Sequence, residues 1–117
     1  MRVLIVDDHS VFRIVVRSML DKSLPILEAA DGAEGLAHLK ANADITMVLT
    51  DYNMPKMNGL QMIEAMRREL PQAQPKVIII SSERDTVLID KAKALGVSEW
   101  LPKPFKKEDL QTLMKTG

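Results

Sequence analysis

The chain contains no cysteine, which excludes disulfide staples and thiolate-bound metals. Aromatic residues are scarce, with one Trp, one Tyr and two Phe among 117 residues. That favours a layered aliphatic core over an aromatic stacking platform for single-stranded nucleic acid. Neither sign of charge is in excess: sixteen basic residues balance sixteen acidic ones, whereas binding to a phosphate backbone calls for a basic face. No apolar run approaches the roughly 20 residues of a membrane-spanning helix. The opening Met1-Arg2-Val3-Leu4-Ile5-Val6-Asp7-Asp8 turns acidic too soon for a secretory leader. Direct nucleic-acid binding and membrane insertion are therefore not expected, and the cytoplasm is the expected location.

What is present suits one globular domain. Apolar residues make up 46% of the chain and charged residues 27%, within a length typical of single domains of about 100–150 residues. Three aliphatic runs, Val3–Val6, Thr46–Leu49 and Val77–Ile80, are rich in β-branched residues and lack polar alternation. Strands buried on both faces read this way. Ile26–Ala30, entered through Pro25, reads as a further strand, and a proline there suits an edge position. Ser98–Leu101 reads as the last strand.

Helical spacing fills the gaps. Phe12, Val15, Val16 and Met19 form one stripe, and Met62, Ile63, Met66 and Leu70 a second. Ala33–Ala41 makes a short helix. Leu88, Ala92 and Leu95 mark another, ended by Gly96 in a left-handed conformation, and Leu110, Leu113 and Met114 the last. Five strand–helix pairs in alternation imply a three-layer α/β domain, a parallel sheet with helices on both faces. Residues 1–117 read as a single such domain.

Functional residues in sheets of this kind gather at the carboxyl ends of the strands. Those ends are unusually polar here: Asp7 and Asp8 after the first strand, Asp51 and Asn53 after the third, Ser81 and Ser82 after the fourth, Lys103 after the fifth. If the main strands are neighbours, three carboxylates converge on one rim. Two charges about 4 Å apart repel by roughly 4 kcal/mol at an effective dielectric near 20. Such a cluster calls for a cation or a raised pKa. Hard oxygen ligands open to water suit Mg²⁺, whereas Ca²⁺ would want more protein oxygens. A carboxylate beside such an ion can attack phosphorus, with Lys103 and Ser81 placed to steady the moving charge.

The acidic pair Asp7-Asp8, the run Asp51-Tyr52-Asn53-Met54-Pro55-Lys56-Met57-Asn58-Gly59, Ser81-Ser82-Glu83, and Trp100-Leu101-Pro102-Lys103-Pro104-Phe105 together resemble the receiver domains of bacterial two-component response regulators, the CheY-like chemotaxis group in particular. The resemblance covers essentially the whole chain. It implies a (βα)5 flavodoxin-like fold with strand order 2-1-3-4-5 and a cis Lys103–Pro104 bond. It implies that Asp51 accepts the phosphoryl group. Asp8, Asp51 and the backbone carbonyl of Asn53 would bind Mg²⁺, with Asp7 acting through water. Ser81 and Lys103 would contact phosphoryl oxygens, Ser81 and Trp100 would switch, and Asn53 and Glu83 would tune hydrolysis. The implied donor is a sensor histidine kinase, a phosphotransfer protein or acetyl phosphate. Output passes to a separate partner, to a fused domain beyond Gly117, or to a phosphorylation-dependent dimer. The reporting face would be Asp85–Leu95, Ser98–Leu101 and Lys106–Met114. Ser81 stands where Thr is commoner, and Trp100 where Tyr or Phe is usual.

Plainer roles compete residue by residue. Asp7, Asp8 and Asp51 could each cap a helix, Asn58-Gly59 could be an ordinary turn, and Lys103 could be solvated. His9 reads as a helix-start residue rather than a ligand, and His38 as helix surface. Met54, Met57, Met62 and Met66 read as packing, and Lys106 and Lys107 as a solvated helix start. Competing functions are an unphosphorylated scaffold, a flavodoxin-like cofactor binder and an aspartate-nucleophile phosphatase. The phosphatases carry Asp-x-Asp where this chain has Asn53. Asp7-Asp8-His9-Ser10 would repel a flavin phosphate. Slow hydrolysis of its own phosphoryl group, rather than turnover of an external substrate, is expected.

Overall fold

The aliphatic runs do form strands buried on both faces: Leu4, Val48, Val77, Ile78 and Ile79 are wholly inaccessible. A computed structural model of the chain describes residues 2–115. Met1 and Gly117, the ends of the expected domain, lie outside them, as does Thr116. The elements alternate as β1 (Arg2–Val6), α1 (Ser10–Ser18), β2 (Ile26–Ala29), α2 (Gly32–Ala41), β3 (Ile45–Thr50), α3 (Gly59–Glu69), β4 (Lys76–Ser81), α4 (Thr86–Ala94), β5 (Glu99–Pro102) and α5 (Lys107–Lys115). The five strands are parallel in the order β2-β1-β3-β4-β5, so β2, entered through Pro25, is an edge strand. None of the helices among the described residues is long and apolar enough to cross a membrane.

Strand alternation divides the core into two layers. Leu4, Val6, Val48, Val77 and Ile79 pack with Leu36 and Leu39 of α2, Met62, Ile63 and Met66 of α3, and Ala92 of α4. Val3, Ile5, Leu49, Ile78 and Ile80 pack with Val16 of α1 and Leu110 of α5. The α1 stripe is narrower than its spacing suggests. Phe12, Val16 and Met19 face the sheet, while Val15 is 39% exposed and Val11 and Ile14 more so. A nine-residue helix resting on one sheet face buries only the i, i+4, i+7 row.

Local chemistry fixes the loops that carry the polar residues. Asn58 and Gln61 form a reciprocal capping box at the start of α3. Asp31 and Asp85 cap α2 and α4. Gly96 has φ +88°, the left-handed helix end expected of it. Gly59 lets α3 begin directly beneath the end of β3: a Cβ there would lie 2.4 Å from the carbonyl oxygen of Asp51.

Candidate functional site

Register alone brings the polar strand ends together. Ile5 pairs with Leu49 and Val6 with Thr50, so Asp7 and Asp51 leave neighbouring strands side by side, and the Asp51 N–H donates to the carbonyl of Val6 at 2.9 Å. Thr50 pairs with Ile79 and Ser81 with Pro102. The Lys103 N–H then continues the ladder to the Ser81 carbonyl at 3.0 Å. The Lys103–Pro104 bond is cis.

Asp7 and Asp51 are buried, at 2% and 7% exposure, whereas Asp8 faces solvent. Lys103 reaches into the pair, its Nζ 3.4 Å from Asp51 Oδ2 and 3.6 Å from Asp7 Oδ2. The same ammonium sits 3.9 Å from the centre of the Phe12 ring, an arrangement that favours the cation. Burial pushes the Asp51 carboxyl above its usual value; Lys103 opposes this, Asp7 adds to it, and the N–H of Tyr52 opposes it. That N–H donates to Asp51 Oδ1 at 2.7 Å and holds the carboxylate in one orientation.

The cluster is short of positive charge. One ligand atom from each of Asp7, Asp8, His9 and Asp51 lies within 4.8 Å of the other three, and one ammonium balances three carboxylates. Asp7 Oδ2 is buried without a hydrogen-bond donor. Buried unpaired carboxylate oxygen is costly. The oxygen-rich donor set and the orphaned atom fit a hard divalent cation.

The remaining sequence candidates fall into two groups. Ser81 is buried at the end of β4, its Oγ accepting the N–H of Glu83 at 3.1 Å. Trp100 is half-buried on β5, its indole N–H donating to the Glu83 carbonyl at 3.0 Å and its ring 5.9 Å from that of Tyr52. The carboxylate of Glu83 is turned to backbone work, accepting the N–H groups of Arg84 and Asp85. Asn53 is exposed in the loop after β3. His38 lies on α2, its ring against the Glu28 carbonyl, away from the cluster.

Sequence reading gave four neighbours no part in the site. Phe12 lies under Lys103, Arg13 donates to the Asp7 carbonyl, Tyr52 orients Asp51 and meets Trp100, and the His9 ring turns back to the acidic pair. His9 does start α1 as expected, but its Nδ1 is 3.2 Å from Oδ1 of both Asp7 and Asp8. His9 follows the acidic pair in sequence, where a helix start and a ligand look alike; nothing local marks the other three.

Known proteins resemble this chain in sequence and in fold. The family described as the response regulator receiver domain matches residues 3–115. The chain belongs to the response regulator receiver family. Chemotaxis protein CheY1 of Helicobacter pylori is 34% identical to this receiver over 123 residues, covering all of this chain and 99% of CheY1. Two-component response regulator ORR1 of rice is 35% identical, over 97% of this chain and 54% of ORR1. Among solved structures, chemotaxis protein CheY4 of Vibrio cholerae superposes with a TM-score of 0.87 at 30% identity, covering 97% of this chain and 95% of CheY4. The fold, strand order included, is that of CheY-like receivers.

Proposed function

We propose that residues 1–117 act as one phospho-accepting receiver, with Asp51 taking a phosphoryl group from a phosphohistidine of a sensor kinase or phosphotransfer protein. The observation that supports this most is a buried carboxylate held by the Tyr52 N–H at 2.7 Å, with an ammonium 3.4 Å away and two further carboxylates beside it. Asp8, Asp51 and the Asn53 carbonyl would hold Mg²⁺, with Asp7 acting through water. The ion, when bound, offsets negative charge on the phosphoryl oxygens and orients them. Asp51 supplies the attacking oxygen. Lys103 neutralises charge as the P–O bond forms and the P–N bond breaks, and the Ser81 hydroxyl donates to a phosphoryl oxygen once the group has arrived.

Asn53, exposed after β3, and Glu83, after β4, would tune the lifetime of the product. The reaction is the protein's own modification, not turnover of an external substrate. Labelled acetyl phosphate tests the reading. Incorporation should require Mg²⁺, vanish with a chelator, and fall to background in Asp51→Asn. Undiminished labelling of that variant would move the acceptor elsewhere, and no labelling of the wild type would favour a scaffold.

A further inference from the structure

His9 occupies the N-cap of α1, where Ser, Thr, Asp and Asn are preferred because their side chains bond the first free N–H groups. It does not do this: its side chain makes no cap bond to the helix. The ring points instead to the acidic edge, with Nδ1 3.2 Å from Asp7 Oδ1 and 3.2 Å from Asp8 Oδ1. These are hydrogen-bond distances, and their length also suits atoms that share an ion. With metal–ligand bonds of about 2.0–2.1 Å, adjacent ligands stand roughly 2.9–3.4 Å apart in octahedral or tetrahedral sites. Independently, Asp7 Oδ2 is buried with no hydrogen-bond donor, in a residue only 2% exposed, and its nearest cation, Lys103 Nζ, is 3.6 Å away.

We propose that His9 is a metal-selecting ligand. With Asp7, Asp8 and Asp51, its Nδ1 completes a site that accepts a borderline divalent cation, Zn²⁺ or a first-row neighbour, in competition with Mg²⁺. This rests on the acidic edge being the cation site proposed above, and it deepens that reading. An imidazole does little for Mg²⁺, which prefers oxygen and retains its waters. It strengthens binding of Zn²⁺, Co²⁺ and Ni²⁺, for which nitrogen is a good donor. The ring is 70% exposed, so it can adjust to an ion without disturbing the core. An all-oxygen edge would discriminate less strongly in favour of these metals.

The test compares Zn²⁺ and Mg²⁺ association with the folded full chain by calorimetry, for wild type and His9→Ala at one pH. Nitrogen-15 spectra of the wild-type imidazoles accompany it and need no variant. The ratio of Zn²⁺ to Mg²⁺ association constants should fall at least about tenfold in His9→Ala, since even groups that only support a ligand matter by 10–100-fold. Zn²⁺ should shift the Nδ1 resonance of His9. An unchanged ratio, or a Zn²⁺ response confined to His38, would overturn the proposal while leaving the Mg²⁺ site standing. Failure of Mg²⁺ to bind the wild type would instead overturn the reading beneath it.

Discussion

At the scale of single residues, the tension at the acidic edge lies in Asp51. Burial raises its carboxyl pKa above the usual 3.8, with Lys103 opposing and Asp7 adding. Such a group holds its proton better in the fold than in the unfolded chain. The stability it contributes is complete below 3.8 and is lost as pH rises through the elevated value. Asp51→Asn has no proton to lose there. In denaturant it should unfold at a midpoint close to the wild type under acid and at a higher midpoint at neutral pH. Mg²⁺ should reverse the order: at 100 times its Kd a ligand adds about 2.7 kcal/mol to the state that binds it, and the variant should gain far less. Denaturant midpoints at several pH values, with and without Mg²⁺, check this. A difference independent of pH would show that Asp51 carries no such strain.

At the scale of elements, Glu83 ties β4 to β5. Its N–H is held by Ser81 Oγ and its carbonyl by the Trp100 indole. A Ser81 hydroxyl drawn toward a phosphoryl group would release the first bond and disturb the peptide that anchors the second. The loop leading into α4, capped by Asp85, would feel the change. Two-state rearrangements of this kind are population shifts. We expect beryllofluoride with Mg²⁺ to alter Trp100 fluorescence and its indole N–H resonance, together with amides of α4 and β5. An unchanged ring would remove Trp100 from the switch and leave the signal to Ser81 and the loops. The indole can only donate, so its bond to the Glu83 carbonyl is one a phenylalanine could not make.

At the scale of the whole molecule, the fold was legible because its strands are buried on both faces, which makes continuous aliphatic runs, and because Pro25 and Gly96 mark a strand entrance and a helix end. The edge position of β2 followed from Pro25, while the complete strand order came through family resemblance. Asp7, Asp51, Ser81 and Lys103 could be placed together since parallel strands deliver their ends to one edge. What escaped depends on how elements pack across the sheet. Val15 sits on a helical stripe yet is exposed because α1 touches the sheet along one row. Phe12 beneath Lys103 and Arg13 on the Asp7 carbonyl meet their partners only once α1 has docked. The direction of the His9 ring is likewise invisible in a sequence, where a helix start and a ligand look alike.

The central claim is that this edge presents one particular carboxylate to phosphorus, and locating the modified atom tests it most directly. Borohydride reduces an acyl phosphate on aspartate to homoserine, so protein loaded with acetyl phosphate and Mg²⁺ can be trapped, digested and sequenced by mass spectrometry. Homoserine should appear at position 51 alone. Homoserine at Asp7 or Asp8, or equal conversion in the presence of a chelator, would contradict the account.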